Sequence, residues 1–518
     1  MKLAKVLSLV LVVVMLASML IACGGNQDDT TPAPTTAAPT TAAPTTAAPT
    51  TQAPTTAAPT TQAPATEAPT TEVPTTEAVF TPNKTWAGKT VNVYISGWYG
   101  TSGPWQPVEY WVTEYGQSTL NDAILDRTAY LNEEFGVTFD FTAFTTSPTS
   151  IDAIANALSA GTKDYDIWYN KTIASQNIVA NKLVFDLADS EYIDFTKSYY
   201  NQLTKNAFTI DGHTFFASGD FNYIAYEVTY LWYLNPDITE DIEDFPADIY
   251  QVVRDGEWTL DLAFSLARQY GQDNGDGIMD LNDSYGLSPS GLANWFNFCG
   301  ISTVAAVDGQ YEIGLNDQVR VQKILSYILQ MANSDWYVET AWQDGSALFT
   351  EGRCLFFQEV VQKIPEYVSA NPNIYLLPNP KLELSDPYYY TTGAYSQSNL
   401  ICIPKTTEDR EMSEYFFEIL FKTGSEMIMP EYIEGRLMDA NPDNYDDATD
   451  MLVNYILPGA LIDVGNCANG WSSVCGNIIN PSCNNKTNTF AADYAANIDA
   501  AQATVDTWNA NWSDYTEE

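Results

Sequence analysis

The chain has 518 residues, and its 22 Lys and Arg stand against 66 Asp and Glu, so the formal net charge is −44 at pH 7. Such an acidic surface excludes nucleic acid and anionic lipid headgroups as partners, because both are polyanions. A single His excludes metal sites built on a His pair. The 32 Tyr and 13 Trp are enough for a large core and for a binding cleft as well.

The N-terminal residues predict export and lipidation. After a positively charged start, Val6 to Ala17 form an uncharged apolar run of signal-peptide length, too short to span a bilayer. Cys23 stands in Leu-Ile-Ala-Cys-Gly (20–24), which resembles the bacterial lipobox. We expect residues 1–22 to be a lipoprotein signal peptide and Cys23 to be diacylated, because two acyl chains anchor a protein stably. An ordinary signal peptide with a chance Cys is the alternative.

Residues 23–85 combine the lipidated Cys with a Thr/Ala/Pro-rich segment that predicts a disordered tether. Pro recurs at every fifth residue from Pro34 to Pro74. Such a segment has too little apolar surface to fold, and its Pro residues favour the extended polyproline II conformation. At about 3.1 Å per residue it reaches on the order of 150–190 Å. We therefore expect it to hold the rest of the chain away from the outer face of the cell membrane.

The next segment alternates between strand and helix patterns. Apolar residues from Leu120 to Phe135 recur on one face of a helix that Gly136 would end, and residues 150–160 predict a shorter helix. Strand patterns come before, between and after these helices, at 90–95, 137–144 and 165–169. This order predicts a parallel sheet with helices on both faces. Ligands of such sheets bind beyond the carboxyl ends of the strands.

The six Cys residues after Cys23 do not form a zinc motif, because none of them is paired in C-x-x-C spacing. Cys467, Cys475 and Cys483 are close enough in sequence for a disulfide. Buried free thiols are the alternative.

Residues 272–283 resemble an oxygen-ligand loop for calcium. With Gly277 at the sixth position, side-chain oxygens fall at positions 1, 3, 5, 9 and 12, and a backbone carbonyl falls at position 7. The predicted ligands are Gln272, Asn274, Asp276, Ile278, Asp280 and Asp283. We expect a structural Ca²⁺ and no catalytic cofactor; a solvated acidic turn is the alternative.

Four short motifs follow one another in a characteristic order: Asp-Tyr-Asp-Ile at 164–167, Phe-Thr-Glu-Gly-Arg at 349–353, Leu-Pro-Asn-Pro-Lys at 377–381 and Ile-Pro-Lys at 403–405. Behind a lipobox, this set resembles the extracellular solute-binding proteins of bacterial ABC importers, in particular the sugar-binding family 1 group. Calcium-type loops in that group are structural.

The resemblance implies an α/β, two-lobe periplasmic-binding-protein-like fold with a hinge. Lobe 1 would comprise 86–222 and 378–423, and lobe 2 would comprise 223–377 and 424–518. The chain would cross between them near 217–228, 376–380 and 423–426. Ligand contacts with both lobes would favour the closed state.

A sugar presents apolar C–H faces and a rim of hydroxyl groups, so aromatic rings stack on it and polar side chains bind its rim. The resemblance places ligand contacts at Trp98, Tyr99, Tyr169, Asn170, Glu227, Trp295 and Trp471. Core packing is the alternative role for each aromatic.

Together these features predict a lipid-anchored protein, not an enzyme, that captures an extracellular solute and delivers it to ABC permease subunits. A carbohydrate is the expected solute, with a peptide or another polar solute left open. The alternative is a tethered surface carbohydrate-active enzyme or an adhesin, because a glycosidase needs only two carboxylates.

Overall fold

The computed structural model describes residues 83–96, 112, 114–144, 151–288, 291–340, 342–393, 398–467 and 473–516. In chain order, the strands are β1 Thr90–Ser96, β2 Thr138–Phe144, β3 Ile167–Lys171, β4 Thr209–Ile210, β5 His213–Thr214, β6 Tyr230–Leu234, β7 Tyr285–Ser288, β8 Val304–Val307, β9 Gln310–Ile313, β10 Cys354–Val360, β11 Tyr375–Leu377, β12 Thr391–Thr392, β13 Asn399–Cys402 and β14 Ala460–Leu461. The α-helices are α1 Thr119–Phe135, α2 Asp152–Ala160, α3 Ser175–Ala180, α4 Gln202–Ala207, α5 Ile224–Glu227, α6 Ile249–Arg254, α7 Leu260–Ala267, α8 Trp295–Phe298, α9 Gln318–Ala332, α10 Trp342–Thr350, α11 Ile364–Ala370, α12 Arg410–Thr423, α13 Met429–Leu437, α14 Pro442–Asp450, α15 Gly476–Asn484 and α16 Phe490–Ser513.

The first sheet has the strand order β2-β1-β3-β13. Its first three strands are parallel, with Val93 opposite both Phe141 and Ile167, and β13 is antiparallel to β3. Helix α1 buries the predicted stripe, and it ends where the left-handed Gly136 (φ 72°) donates its N–H to the Asn132 carbonyl. The predicted order of strand and helix is therefore confirmed, with β3 beginning two residues later than expected.

The second sheet has the strand order β11-β6-β10-β7. Strand β6 is antiparallel to both β10 and β11, whereas β10 and β7 are parallel. Its core is aromatic: Trp232 contacts Trp258, Trp295 and Phe356 edge-on or tilted, with ring centroids 5.3–6.2 Å apart.

The buried apolar residues form two clusters, and β3 has one face in each. Tyr169 belongs to the smaller cluster, where Phe416 and Leu420 of α12 pack against the first sheet. Trp168 belongs to the larger cluster, which continues into the second sheet. All six Cys residues after Cys23 are buried and free, so the disulfide that the sequence left open is not formed.

The chain passes from the first sheet to the second between Ala217 and Tyr230, and it returns between Leu377 and Asn399. A π-helical turn, Gly424–Ile428, joins α12 to α13 and makes one interrupted helix of the two. These passages lie close to the three predicted crossings, while the assignment of residues to lobes stays a prediction. Across the described ranges, no helix has both the length and the apolar character that spanning a membrane requires.

Candidate ligand-binding site

The carboxyl ends of β1 and β3 form the edge where a ligand is expected. Ser96 ends β1, and its Oγ accepts a 2.8 Å hydrogen bond from Trp168 Nε1. At the end of β3, Asn170 Nδ2 donates to the Leu400 carbonyl (2.8 Å), while Asn170 Oδ1 is buried with no hydrogen-bond partner among the described residues. This edge therefore carries polar groups that the backbone satisfies only in part.

Lys171, the last residue of β3, is 1% exposed. Burial lowers the pKa of its ammonium group to about 7, because a low-dielectric environment disfavours the charged form. The end of β3 thus contributes a cation whose charge depends on its surroundings.

Two of the predicted ligand contacts are covered by protein. The hydroxyl of Tyr169 donates to the Phe221 carbonyl (3.0 Å), and its ring packs against the Phe221 ring. Trp295 is 1% exposed and packs against Trp232 and Phe264. Both rings therefore lack a free face for stacking in this structure, and a ligand contact at either position stays a prediction.

Glu227, another predicted contact, is 2% exposed and forms a 2.5 Å ion pair with Arg436 of α13. Burial raises the pKa of the Glu227 carboxyl, and the nearby guanidinium opposes that shift. The Arg436 guanidinium also lies over the Tyr432 ring, 5.0 Å from its centroid. In this arrangement Glu227 joins the first crossing to α13. Breaking a buried pair by removing one partner costs about 3–5 kcal/mol.

Trp98, Tyr99 and Trp471 lie outside the described residues, so their roles stay predictions. The backbone just before residues 468–472 is held by Asp463, which the sequence analysis missed. Asp463 is 2% exposed and accepts hydrogen bonds from Asn297 Nδ2 (3.0 Å) and from the backbone and hydroxyl of Thr303 (both 3.0 Å). It also accepts a hydrogen bond from the Gly465 N–H of its own turn (2.9 Å), and the Asp-x-Gly sequence is the signal from which this turn could have been predicted.

The comparison that decides the family spans more than half of the chain: residues 127–432 match the family model described as bacterial extracellular solute-binding protein. The chain belongs to this family. The resemblance drawn from the short motifs is thereby confirmed, as is the α/β fold class. A search of curated protein sequences finds no match to this solute-binding protein.

Two solved structures show the same fold as this solute-binding protein. The cyclic alpha-maltosyl-1,6-maltose binding protein from Arthrobacter globiformis is 13% identical, with 82% of this chain and 99% of that chain covered and a TM-score of 0.51. An uncharacterized protein from Listeria monocytogenes is also 13% identical, with 80% and 99% covered and a TM-score of 0.53.

The predicted calcium loop of this solute-binding protein is organised by its own backbone. Asp276 Oδ1 accepts from Ile278 N–H (2.9 Å), Asp280 Oδ1 from Asn282 N–H (2.7 Å), and Asp283 Oδ1 from Asn274 N–H (2.8 Å). In the part of the chain that the structure describes, no three His, Cys, Asp or Glu side chains converge as a metal would require. The described side chains therefore hold a turn through backbone amides, and calcium binding stays a prediction.

Proposed function

We propose that this solute-binding protein captures a carbohydrate outside the cell and delivers it to the permease of an ABC transporter. The observation that carries the proposal is the family match over residues 127–432, on a chain that passes between two α/β sheets. The relative from Arthrobacter globiformis is, by its name, a binding protein for a cyclic maltose derivative, which supports a carbohydrate as the solute.

The proposed mechanism is closure around the ligand. The carboxyl ends of β1 and β3 would contribute one side of the site, with Ser96, Asn170 and Lys171 as hydrogen-bonding groups. The second sheet and the segment after Asp463 would contribute the other side. A ligand that contacts both sides binds the closed form better than the open form, and it shifts the equilibrium by that difference in affinity.

We further propose that the mature chain is anchored through a diacylated Cys23 and that residues 23–85 act as its tether. The lipobox-like sequence at 20–24 and the repeated Pro residues support this arrangement. The membrane contact would be through the lipid alone, because the net charge of −44 repels anionic headgroups.

A thermal-shift screen of the mature chain against sugars, oligosaccharides and peptides tests this function. A ligand that binds only the folded state stabilises it by RT ln(1 + [L]/Kd), about 2.7 kcal/mol at one hundred times Kd. We expect oligosaccharides, and not peptides, to raise the melting temperature. Chromatography of the hit after prolonged incubation distinguishes a binder from an enzyme: the proposal requires the sugar to be recovered intact, and hydrolysis would contradict it.

A further inference from the structure

A cavity of about 530 Å³ lies beside the first predicted crossing, and three Tyr rings and one carboxylate line it. Tyr200 comes from the segment before α4, Asp220 and Tyr226 come from the crossing, and Tyr388 follows β11. An apolar wall completes the lining, with Met429, Ile433, Val453 and Leu457 among its residues. The volume falls within the range of about 300–1,000 Å³ that is typical of small-molecule sites.

This cavity is separate from the predicted carbohydrate site. The backbone bridges Ala217–Ile401 and Tyr200–Gly219 extend the first sheet past β13, on the side opposite β2. The cavity lies at that extended edge, whereas the carbohydrate is expected at the carboxyl ends of β1 and β3. Of the predicted ligand contacts, the four that the structure describes, Tyr169, Asn170, Glu227 and Trp295, are not among the residues that line the cavity.

The chemistry of the lining is that of a site for a cation. Asp220 Oδ1 accepts a 2.9 Å hydrogen bond from the Tyr226 hydroxyl, and the Ser425 side chain also hydrogen-bonds this carboxylate. None of the lining residues that the structure describes is basic, so the cavity itself supplies no counter-charge. Burial leaves the Asp220 carboxylate poorly solvated, and this raises its pKa to about 6.

The aromatic rings that line the cavity also favour a positively charged ligand. The face of a Tyr ring is electronegative and attracts an ammonium group within about 6 Å. The Tyr226 hydroxyl is bonded to Asp220, which fixes this side chain through a group other than its face. Tyr200 is covered, because its ring packs against Phe421 with the ring centroids 4.6 Å apart, so Tyr226 and Tyr388 are the lining rings left for a cation. A ligand with an apolar body and a cationic head would therefore satisfy the wall, the rings and the carboxylate together.

We propose that this cavity binds an organic ammonium compound, with Asp220 as its counter-ion and with Tyr226 and Tyr388 beside its cationic head. The Asp220 carboxylate would repel an anion, and a neutral analogue would leave this carboxylate without a counter-charge. The proposal is independent of the carbohydrate function, because it concerns a different set of residues.

Isothermal titration calorimetry of the mature chain carrying Cys23→Ser tests the proposal with phenethylamine as the probe. The neutral control is 2-phenylethanol, which has the same apolar body and lacks the charge. We expect phenethylamine to bind at least tenfold more tightly than the alcohol, and Asp220→Asn to remove at least that tenfold advantage. Equal affinities of the amine and the alcohol, or an Asp220→Asn variant that still prefers the amine, would overturn the proposal.

Glu426→Gln is the matched control, because it removes a neighbouring charge that is exposed and does not line the cavity. We expect it to leave the affinity for phenethylamine within twofold. A loss as large as that of Asp220→Asn would mean attraction by the acidic surface alone and would also overturn the proposal. If Asp220→Asn does not fold, Tyr388→Leu tests the proposal instead, because Tyr388 is 41% exposed and we expect the chain to tolerate its replacement. An unchanged affinity for phenethylamine would then refute the cavity as the binding site.

Discussion

Two glycines lie in the interrupted helix that α12, the π-helical turn and α13 form together. We expect replacement of these glycines by Ala to change the free energy of unfolding in opposite directions. A Cβ at Gly435 meets nothing within 4 Å. A Cβ at Gly424 would lie 2.6 Å from the Asp220 carbonyl oxygen and 2.8 Å from Phe221 Cα. Both contacts are with backbone atoms of the first crossing, so a side-chain rotation cannot relieve them.

The magnitudes follow from helix propensity and overpacking. Ala is favoured over Gly in a helix interior by about 1 kcal/mol, so Gly435→Ala should raise the free energy of unfolding by about 0.5–1 kcal/mol. Gly424→Ala makes the same local gain, but displacing the crossing costs about 1–3 kcal/mol or more. We therefore expect a net loss at Gly424 and a difference of about 1–3 kcal/mol between the two variants.

Urea unfolding of both variants, followed by Trp fluorescence at one pH, measures this difference. The midpoint should rise for Gly435→Ala and fall for Gly424→Ala, with a similar dependence on urea for both. If Gly424→Ala is as stable as Gly435→Ala, the close contact between the π-helical turn and the first crossing is not present in solution.

The remaining predictions concern the anchor, the calcium loop, a ligand contact and pH. Cys23→Ser should release the protein from the membrane fraction, because a hydroxyl cannot accept the lipid as the thiol does; retention would refute the anchor. We propose that Ca²⁺ stabilises loop 272–283, so a chelator should lower the melting temperature and Asp276→Ala should abolish this response. Trp471→Ala should weaken ligand binding at least tenfold at a near-normal melting temperature; if Trp471 is a core residue, it should instead cost about 3–5 kcal/mol of stability. The pKa of Asp220 is higher in the folded chain, about 6 against 3.8, so stability should fall as pH rises from about 4 to 6, and Asp220→Asn should reduce this slope in melting curves.

The first five elements of the fold, from β1 to β3, were predictable because the spacing of apolar residues within each segment specifies a strand or a helix. The helical spacing in α1 and the left-handed Gly136 depend on neighbouring residues, and both are present as expected. The π-helical turn at 424–428 was not predicted, since only its tertiary contact with Asp220 requires Gly424. The sequence pattern thus predicted the strands and helices of the first sheet, but it did not predict how the π-helical turn packs against the first crossing.

The site was harder to predict than the fold, because its residues depend on partners distant in sequence. Asp463 bonds Asn297, 166 residues away, and Glu227 pairs with Arg436. Aromatic identity alone did not distinguish a stacking residue from a core residue, and Trp295 packs in the core of the second sheet. The aromatic content therefore suggested a carbohydrate, which stays a proposal, and it did not identify the individual contacts.

The central claim is that this member of the solute-binding family binds a carbohydrate reversibly and leaves it unchanged. Calorimetric titration of the mature Cys23→Ser chain with the sugar that most raises its melting temperature tests this claim most directly. We expect one sugar to bind per chain, Trp471→Ala to weaken the affinity at least tenfold, and the intact sugar to be recovered in full. If no sugar binds to the chain, or if the sugar is recovered as cleaved products, carbohydrate binding without turnover is contradicted.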